Sequence, residues 1–283
     1  MGICVKNAAS TISKTLESVA GLDYPKEQLD IVIVDGLSSD GTLDLVRKCI
    51  STLHIKTKVL SDRGQGLGYA RKLVVENARA DYIAFIDADQ YFHPSFLKEA
   101  VRDSLNDQKA CVVRGVVGLT PSKSTPAKLS AYEACTYEVP EQIDVWAFGI
   151  GGSLLRKSAI LEAGNFDPRI KFVGEDTDIA FRMVKQGWIL KNCRQAIFYN
   201  QPRATWKALY KQMSGFADAA STMGKKYVPL SKKRLLADIS LDCCLSVRCV
   251  IRTFRLTHDL RCVLLPIKHV FTGFSYFVVF ALR

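Results

Sequence analysis

Asp81-Tyr82-Ile83-Ala84-Phe85-Ile86-Asp87-Ala88-Asp89 decides how this chain is read. An apolar run with no polar face, ending abruptly on carboxylates, is the pattern of a strand buried on both sides in a parallel sheet. Leu29–Asp35 (LDIVIVD) repeats it and ends on Asp35, while Gly2–Val5 and His54–Leu60 supply two further strands. Between these runs Ser10–Val19, Thr42–Ile50 and Gly68–Ala78 space their apolar residues as helices, with Ser10 and Asp40 as N-caps. The alternation predicts an α/β architecture, a mixed but mainly parallel sheet flanked by helices. Ligands of such sheets sit at the carboxyl ends of the strands, where Asp35 and Asp87 stand.

The second half predicts a strand at Ala110–Leu119, a helix at Pro126–Val139 and a glycine-bearing strand at Ala147–Leu155. A helix at Asp176–Gln186, a short strand at Trp188–Asn192 and a longer helix at Thr205–Met223 follow. Charge divides the chain. Of a net charge of +11 over 283 residues, Lys225–Arg283 holds eleven Lys/Arg against Asp238, Asp242 and Asp259, which is +8 and leaves +3 for residues 1–224. A nucleic-acid binder does not normally segregate its charge in this way, and none is expected as a partner. A hydrophobic fraction of 48% excludes a disordered or fibrous chain. Nine cysteines without a C-x-x-C pair, and four histidines without metal-ligand spacing, argue against a disulfide framework or a zinc site. Cys4, Cys49 and Cys111 read as small core residues in a reducing compartment, and no secretory signal is recognised at the start.

Two acidic motifs carry candidate chemistry. Asp87 and Asp89, one residue apart at a strand end, can hold a divalent cation with open positions; the alternative is a turn that caps Pro94–Val101. Glu175, Asp176 and Asp178 open a helix, where acids also serve simply to complement the helix dipole. Gly64-Gln65-Gly66-Leu67-Gly68 imitates a phosphate-binding loop but lacks both the third glycine of G-x-G-x-x-G and a Gly-Lys-Ser/Thr. It reads as a flexible loop, flanked by Arg63 and Arg71, which could face an anion.

In order along residues 2–224, these pieces resemble a family 2 glycosyltransferase of the GT-A, Rossmann-like fold. The matching stretches are Ile3–Asn7, Ile31–Asp35 with Ser38–Thr42, Gly68–Lys72, Tyr82–Asp89, Gly151-Gly152 and Gly174–Asp178. The resemblance implies that Val5, Lys6, Asn7, Asp35, Arg71, Asp87 and Ala88 bind a UDP- or GDP-sugar. It implies Asp89, with Asp87, as the site of Mg²⁺ or Mn²⁺, Asp176 as general base with Glu175 beside it, and Gly151 and Gly152 on the acceptor side. One base opposite the leaving group implies inversion at the anomeric carbon. Gly36 stands where relatives usually have an acid, and Tyr199-Asn200 where many have a histidine. Gln212–Phe216 lacks the Arg and Trp of the processive Q-x-x-R-W signature, so transfer of a single sugar is expected. The alternatives weighed are an inactive membrane-binding subunit and a sugar-1-phosphate nucleotidyltransferase, the latter disfavoured by Lys6–Ser10 after the first strand.

The tail, residues 225–283, is expected to be a helical, membrane-associating segment following a catalytic domain at residues 1–224. Arg248, Arg252 and Arg255 fall on one stripe of a predicted helix Leu235–Leu256, and Val263–Leu282 is apolar but broken by Pro266, Lys268 and His269. That pattern predicts helices in the interface at the cytoplasmic face of a membrane, peripheral or monotopic, with a transmembrane hairpin as the alternative. Membrane association suits a lipid-linked acceptor such as a polyprenyl or dolichyl phosphate.

Overall fold

The computed structural model describes residues 1–136, 139–201 and 203–227, together with Val250, Phe254, Arg255 and Leu264. The tail helix expected at Leu235–Leu256 and the apolar run Val263–Leu282 otherwise lie outside the described residues. Among the described residues no helix is long and apolar enough to cross a membrane.

The first half builds as its pattern requires. Strands β1 (Gly2–Val5), β2 (Asp30–Asp35), β3 (Lys56–Ser61) and β4 (Tyr82–Phe85) alternate with helices α1 (Ile12–Ala20), α2 (Thr42–Ile50) and α3 (Leu67–Asn77). Helix α1 buries Ile12, Leu16 and Val19, an i, i+4, i+7 stripe that needs an apolar sheet face beneath it. Every residue of β2 after Asp30 is buried. Asp40 caps α2 one position early: the N-cap is Gly41 in the left-handed region, and the Thr42 N–H donates to Asp40 Oδ1 at 3.1 Å. Ser10 does not cap α1, whose N-cap is Thr11 with no side-chain hydrogen bond.

Strand β5 (Gln90–Phe92), helix α4 (Phe96–Asn106), β6 (Ala110–Val117) and helix α5 (Thr125–Thr136) follow. Next come β7 (Ser153–Arg156), α6 (Lys157–Glu162), α7 (Glu175–Lys185), β8 (Ile189–Asn200) and α8 (Trp206–Tyr227). The strands form one sheet in the order β3-β2-β1-β4-β7-β6-β8-β5. Pairing is parallel from β3 to β4 and between β6 and β8, and antiparallel wherever β7 or β5 is involved. Successive residues feed opposite faces: Ile31, Ile33, Ala84, Val113 and Leu154 pack with α1 and α4, whereas Val32, Val34, Phe85, Val112 and Leu155 pack with α3, α6 and α7.

Three expectations need correction. The strand expected at Ala147–Leu155 begins only at Ser153, because Gly152 is left-handed (φ +72°), a conformation no strand continues through. The strand expected at Trp188–Asn192 runs on to Asn200; its polar residues hid its length, and its far half pairs with β5 and the end of β6. The Gly64–Gly68 segment is not a loose loop. Gly64 N–H and Gly66 N–H donate to the buried Asp62 carboxylate at 2.7 and 3.1 Å, and Leu67 N–H and Gly68 N–H donate to Lys171 O and Ile170 O at 2.9 and 3.0 Å. A Cβ on Gly66 would stand 2.5 Å from Lys171 O, so the glycines there serve close backbone approach.

The chain divides into two compact units, Met1–Val117 with Val139–Gln201, and Gly118–Glu138 with Pro202–Arg283. The first holds the whole sheet. In the second, Leu129 and Tyr132 of α5 pack with Val250 and Leu264.

Candidate active site

Four strand ends and one helix start converge. Asp35 is the last residue of β2 and is 5% exposed. Its Oδ2 accepts the Ser38 N–H at 3.1 Å, while Oδ1 is buried with no hydrogen-bond partner. An orphaned carboxylate oxygen is costly unless something else donates to it. The neighbouring wall is laced together: Gly36 N–H donates to Val5 O, Asn7 N–H to Ser38 Oγ and Ser39 N–H to Asn7 Oδ1, at 2.8 to 2.9 Å. Lys6 and Asn7 are exposed above the buried Val5, and Lys6 lays its stem along Gly36. A side chain at position 36 would press on that stem.

Asp87 and Asp89 lie in the link from β4 to β5. Gln90 N–H donates to Asp87 O at 2.9 Å, so a turn fixes their spacing, and strand alternation does not. Neither acid caps α4, whose N-cap is Ser95. Ala88 is pinned from below, its carbonyl accepting the Thr15 hydroxyl at 3.0 Å, and Asp89 O accepts Gln201 N–H at 2.7 Å. The Asp87 side chain is 44% exposed, with Oδ1 3.4 Å from Arg71 Nη2. Gln90 Oε1 accepts the Asp87 N–H at 3.1 Å, and its amide group donates to Asn200 Oδ1 at 2.9 Å. Gly151 faces this group: a Cβ there would stand 2.5 Å from Gln90 Oε1 and closer still to Asp87 Oδ2. A Cβ on Gly152 would enter the Phe198 ring.

Arg71 of α3 ties the two acidic motifs together. It is buried, and its Nε lies 2.8 Å from Glu175 Oε1, an ion pair in which the N–H is not aligned on the oxygen. Glu175 is the first residue of α7, after a left-handed Gly174. The four acids and hydroxyls of that turn divide their tasks. Asp178 is buried against Arg182 at 2.6 Å, a structural pair, while Asp176 accepts the Thr177 N–H at 2.8 Å. Burial raises the Glu175 carboxyl to about 8, against the pull of Arg71 and with the Asp176 charge adding to the rise. Burial likewise raises Asp176 above the ordinary carboxylate range. Burial works against the charge of Arg71, but Glu175 and Asp87 outweigh it and hold its pKa above the usual arginine value. Three carboxylates around one engaged arginine are the signature of a site prepared for a cation or a proton transfer.

Of the residues expected at the site, Val5, Lys6, Asn7 and Asp35 stand at the ends of β1 and β2, Asp87, Ala88 and Asp89 follow β4, Glu175 and Asp176 open α7, Arg71 comes from α3, and Gly151 and Gly152 precede β7. Sequence reasoning missed Asp62, Gln90 and Arg114. Arg114 of β6 has a buried Nε with no hydrogen-bond partner, and its nearest opposing charges are those of Asp176 and Asp87. Among the described residues no cluster of three or more His, Cys, Asp or Glu could hold a metal.

Comparison with known proteins identifies the family and the fold. Residues 2–162 match the model of glycosyl transferase family 2. The probable glycosyltransferase YdaM of Bacillus subtilis is 26% identical over 82% of this chain and 58% of that protein. Poly(ribitol-phosphate) β-N-acetylglucosaminyltransferase TarS of Staphylococcus aureus is 33% identical over 33% of this chain and 16% of its own length. The chain thus spans little more than half of the first relative and a small part of the second. Among solved structures, the mannosyltransferase PcManGT of Pyrobaculum calidifontis, in complex with GDP-Man and Mn²⁺, superposes with a TM-score of 0.65 at 15% identity over 98% of this chain and 86% of that one. S. aureus TarS 1-349 with UDP-GlcNAc gives 0.57 at 16% identity over 98% and 89%. At these identities the likeness is one of fold, the GT-A arrangement of a mixed sheet flanked by helices. With the family model covering more than half of its residues, the chain belongs to glycosyl transferase family 2.

Proposed function

We propose that this protein transfers one sugar from a nucleoside diphosphate sugar to an acceptor, by direct displacement with inversion. The observation that carries the reading is the Asp87–Arg71–Glu175 chain of contacts beside Asp176, at the carboxyl ends of the strands. Asp35 Oδ1 waits, buried, for one donor. The single ring N–H of uracil suits one free oxygen better than the paired N–H groups of guanine, because Oδ2 already holds Ser38. UDP-sugars are therefore favoured over GDP-sugars.

Asp87 and Asp89 fit a divalent ion. The Asp87 carboxylate is 44% exposed, and with Asp89 two carboxylates plus substrate phosphates suffice for Mg²⁺ or Mn²⁺. Such an ion would neutralise charge on the leaving diphosphate. Arg71 fixes the Asp87 carboxylate from behind, and Asp176 accepts the proton of the acceptor hydroxyl or phosphate, so that the departing nucleotide and the incoming oxygen lie on opposite faces of the sugar. Burial makes Glu175 hold a proton more readily than an ordinary carboxyl, which limits the negative charge the cluster accumulates.

The acceptor is a polyprenyl- or dolichyl-linked phosphate at the cytoplasmic face of a membrane. A relative from Methanococcus voltae, 23% identical over 78% of this chain, is named for a dolichyl phosphate-linked acceptor. The +8 tail, residues 225–283, would approach anionic lipid, with residues 1–224 as the catalytic domain. The test is turnover. With Mn²⁺ and a UDP-sugar panel, the protein should release UDP faster when polyprenyl phosphate vesicles are added, yielding one product per acceptor. No release from any sugar nucleotide would overturn the reading, and a product ladder would overturn single transfer.

A further inference from the structure

Arg114 of β6 is an arginine of the sheet that the reaction described above does not use. It sits in the middle of β6, opposite Ser153 of β7, which itself stands opposite Phe85 of β4. Residues paired in this way share a sheet face. Phe85 packs on the face covered by α3 and α7, and Arg71 lies over its ring at 5.6 Å. Arg114 therefore projects toward the same face as Arg71, two strand spacings away, about 10 Å along the sheet.

Between the two arginines runs the Gly149–Gly152 segment. At one end of it a Cβ on Gly149 would stand 3.7 Å from Arg114 Nη2; at the other, Gly151 abuts Asp87. Arg71 is engaged by Glu175 and Asp87, whereas Arg114 forms no ion pair among the described residues and its buried Nε donates to nothing. An arginine keeps its charge even where burial disfavours it, as here. The half-buried guanidinium lies 6.0 Å from the centroid of the Phe198 ring, which accepts no hydrogen bond from its buried Nε; an orphaned buried donor is costly, and points to a partner that arrives with the substrate. The forked donors of arginine match phosphate oxygens. A carboxylate ligand is disfavoured by the like charges of Asp87 and Asp176 unless the ligand brings a compensating cation, as a metal-bound diphosphate does.

We propose that Arg114 is a phosphate-binding residue that grips a phosphate oxygen of a substrate on the β7–β6 side of Asp87. This deepens the glycosyltransferase reading and rests on it for the identity of the substrate. The phosphate has two sources, the donor diphosphate or a phosphate on the acceptor.

Arg114→Met keeps the apolar stem and removes the fork; Arg114→Lys keeps the charge alone. Calorimetry with Mn²⁺ on the full chain would compare UDP, UMP and uridine, and inorganic phosphate would be titrated onto the UDP-saturated protein and read as thermal stabilisation. If the donor supplies the phosphate, Arg114→Met weakens UDP by about tenfold or more with uridine unchanged. If the acceptor supplies it, UDP binding is unchanged and the stabilisation by inorganic phosphate disappears. Arg114→Lys should fall between wild type and Arg114→Met in whichever arm responds. Wild-type behaviour of both variants toward UDP and inorganic phosphate would overturn the proposal, even if turnover fell, because Arg114 would then act only as a charge near Asp176. Uridine binding certifies that each variant is folded. A wild-type protein that bound no nucleotide would sink the glycosyltransferase reading instead, and inorganic phosphate titrated onto the nucleotide-free wild type and Arg114→Met would then decide on Arg114.

Discussion

Adjacent glycines at 151 and 152 should fail in different ways when given a methyl group. At Gly151 the new Cβ would meet Gln90 Oε1 at 2.5 Å and Nε2 at 2.6 Å, and Asp87 Oδ2 closer still. Ordinary contact begins near 3.4 Å, so the Gln90 amide must withdraw by about 0.9 Å (3.4 − 2.5) and the Asp87 carboxylate by more. Two hydrogen bonds are then lost, Asp87 N–H to Gln90 Oε1 and Gln90 to Asn200, at about 1 kcal/mol net each. Alanine in place of glycine returns roughly 0.4 to 1 kcal/mol through the unfolded chain. Gly151→Ala is therefore expected to lose only about 1 kcal/mol of stability, yet a shift of about 1 Å in a substrate-positioning carboxylate lowers turnover on the order of 100-fold. At Gly152 the backbone is left-handed (φ +72°) and the Cβ would stand within 2.6 Å of the ring of Phe198, which is fully buried. Strain and overpacking there sum to roughly 3 kcal/mol. Denaturant unfolding and UDP-sugar turnover measured on both variants separate the two. Gly151→Ala with wild-type turnover, or as unstable as Gly152→Ala, would refute the reasoning.

Further outcomes follow from the same geometry. Asp176→Asn should lower kcat by about 100- to 10,000-fold with donor binding nearly unchanged, the loss expected for a general base; a matching loss of UDP affinity would assign it to the donor site. Glu175 retains a proton between its ordinary value of 4.5 and about 8 that the unfolded chain has released, so folding stability should fall as pH rises through that window. Its slope contribution is at most about 1.4 kcal/mol per pH unit, and Glu175→Gln should flatten the decline measured by unfolding at pH 5, 6.5 and 8; an unchanged slope would contradict the assignment. Gly68→Ala would place a Cβ 2.7 Å from Ile170 O, forcing back the 167–171 segment that leads into Glu175 and Asp176. A kcat loss of roughly tenfold or more with UDP binding retained is expected, and simultaneous loss of both would mean that α3 itself had moved.

What could be read in the sequence was whatever a contiguous run of residues encodes. The β1, β2 and β4 runs announce buried parallel strands because no residue in them offers a polar face, and the acids that end them fall at the strand ends by construction. The Glu175-Asp176 start of α7 is similarly local. What escaped is non-sequential. Gln90 and Arg114 owe their places to the β4-β7-β6-β8 order, in which strands distant along the chain become neighbours. No spacing rule marks an isolated arginine in Ala110–Val117 as a site residue. Arg71 was read as a flank of a glycine-rich loop and, through the resemblance, as a sugar-nucleotide ligand, but its pairing with Asp87 after β4 and Glu175 of α7 was not legible. The glycines of that loop resembled a phosphate cradle, but their amides are spent on Asp62 and Ile170, and that of Leu67 on Lys171. Gly152 broke an apparent strand because φ is invisible to hydropathy.

The most direct test of a donor site at these strand ends is thermal stabilisation by UDP, GDP and their sugars, with and without Mn²⁺, in wild type and Asp89→Ala. Ligand at a hundredfold excess over Kd stabilises the folded protein by about 2.7 kcal/mol, readily seen in the unfolding temperature. The expected result is a Mn²⁺-dependent shift with UDP and UDP-sugars, small with GDP and abolished in Asp89→Ala. No shift with any nucleotide would contradict the assignment of these residues to a sugar-nucleotide site.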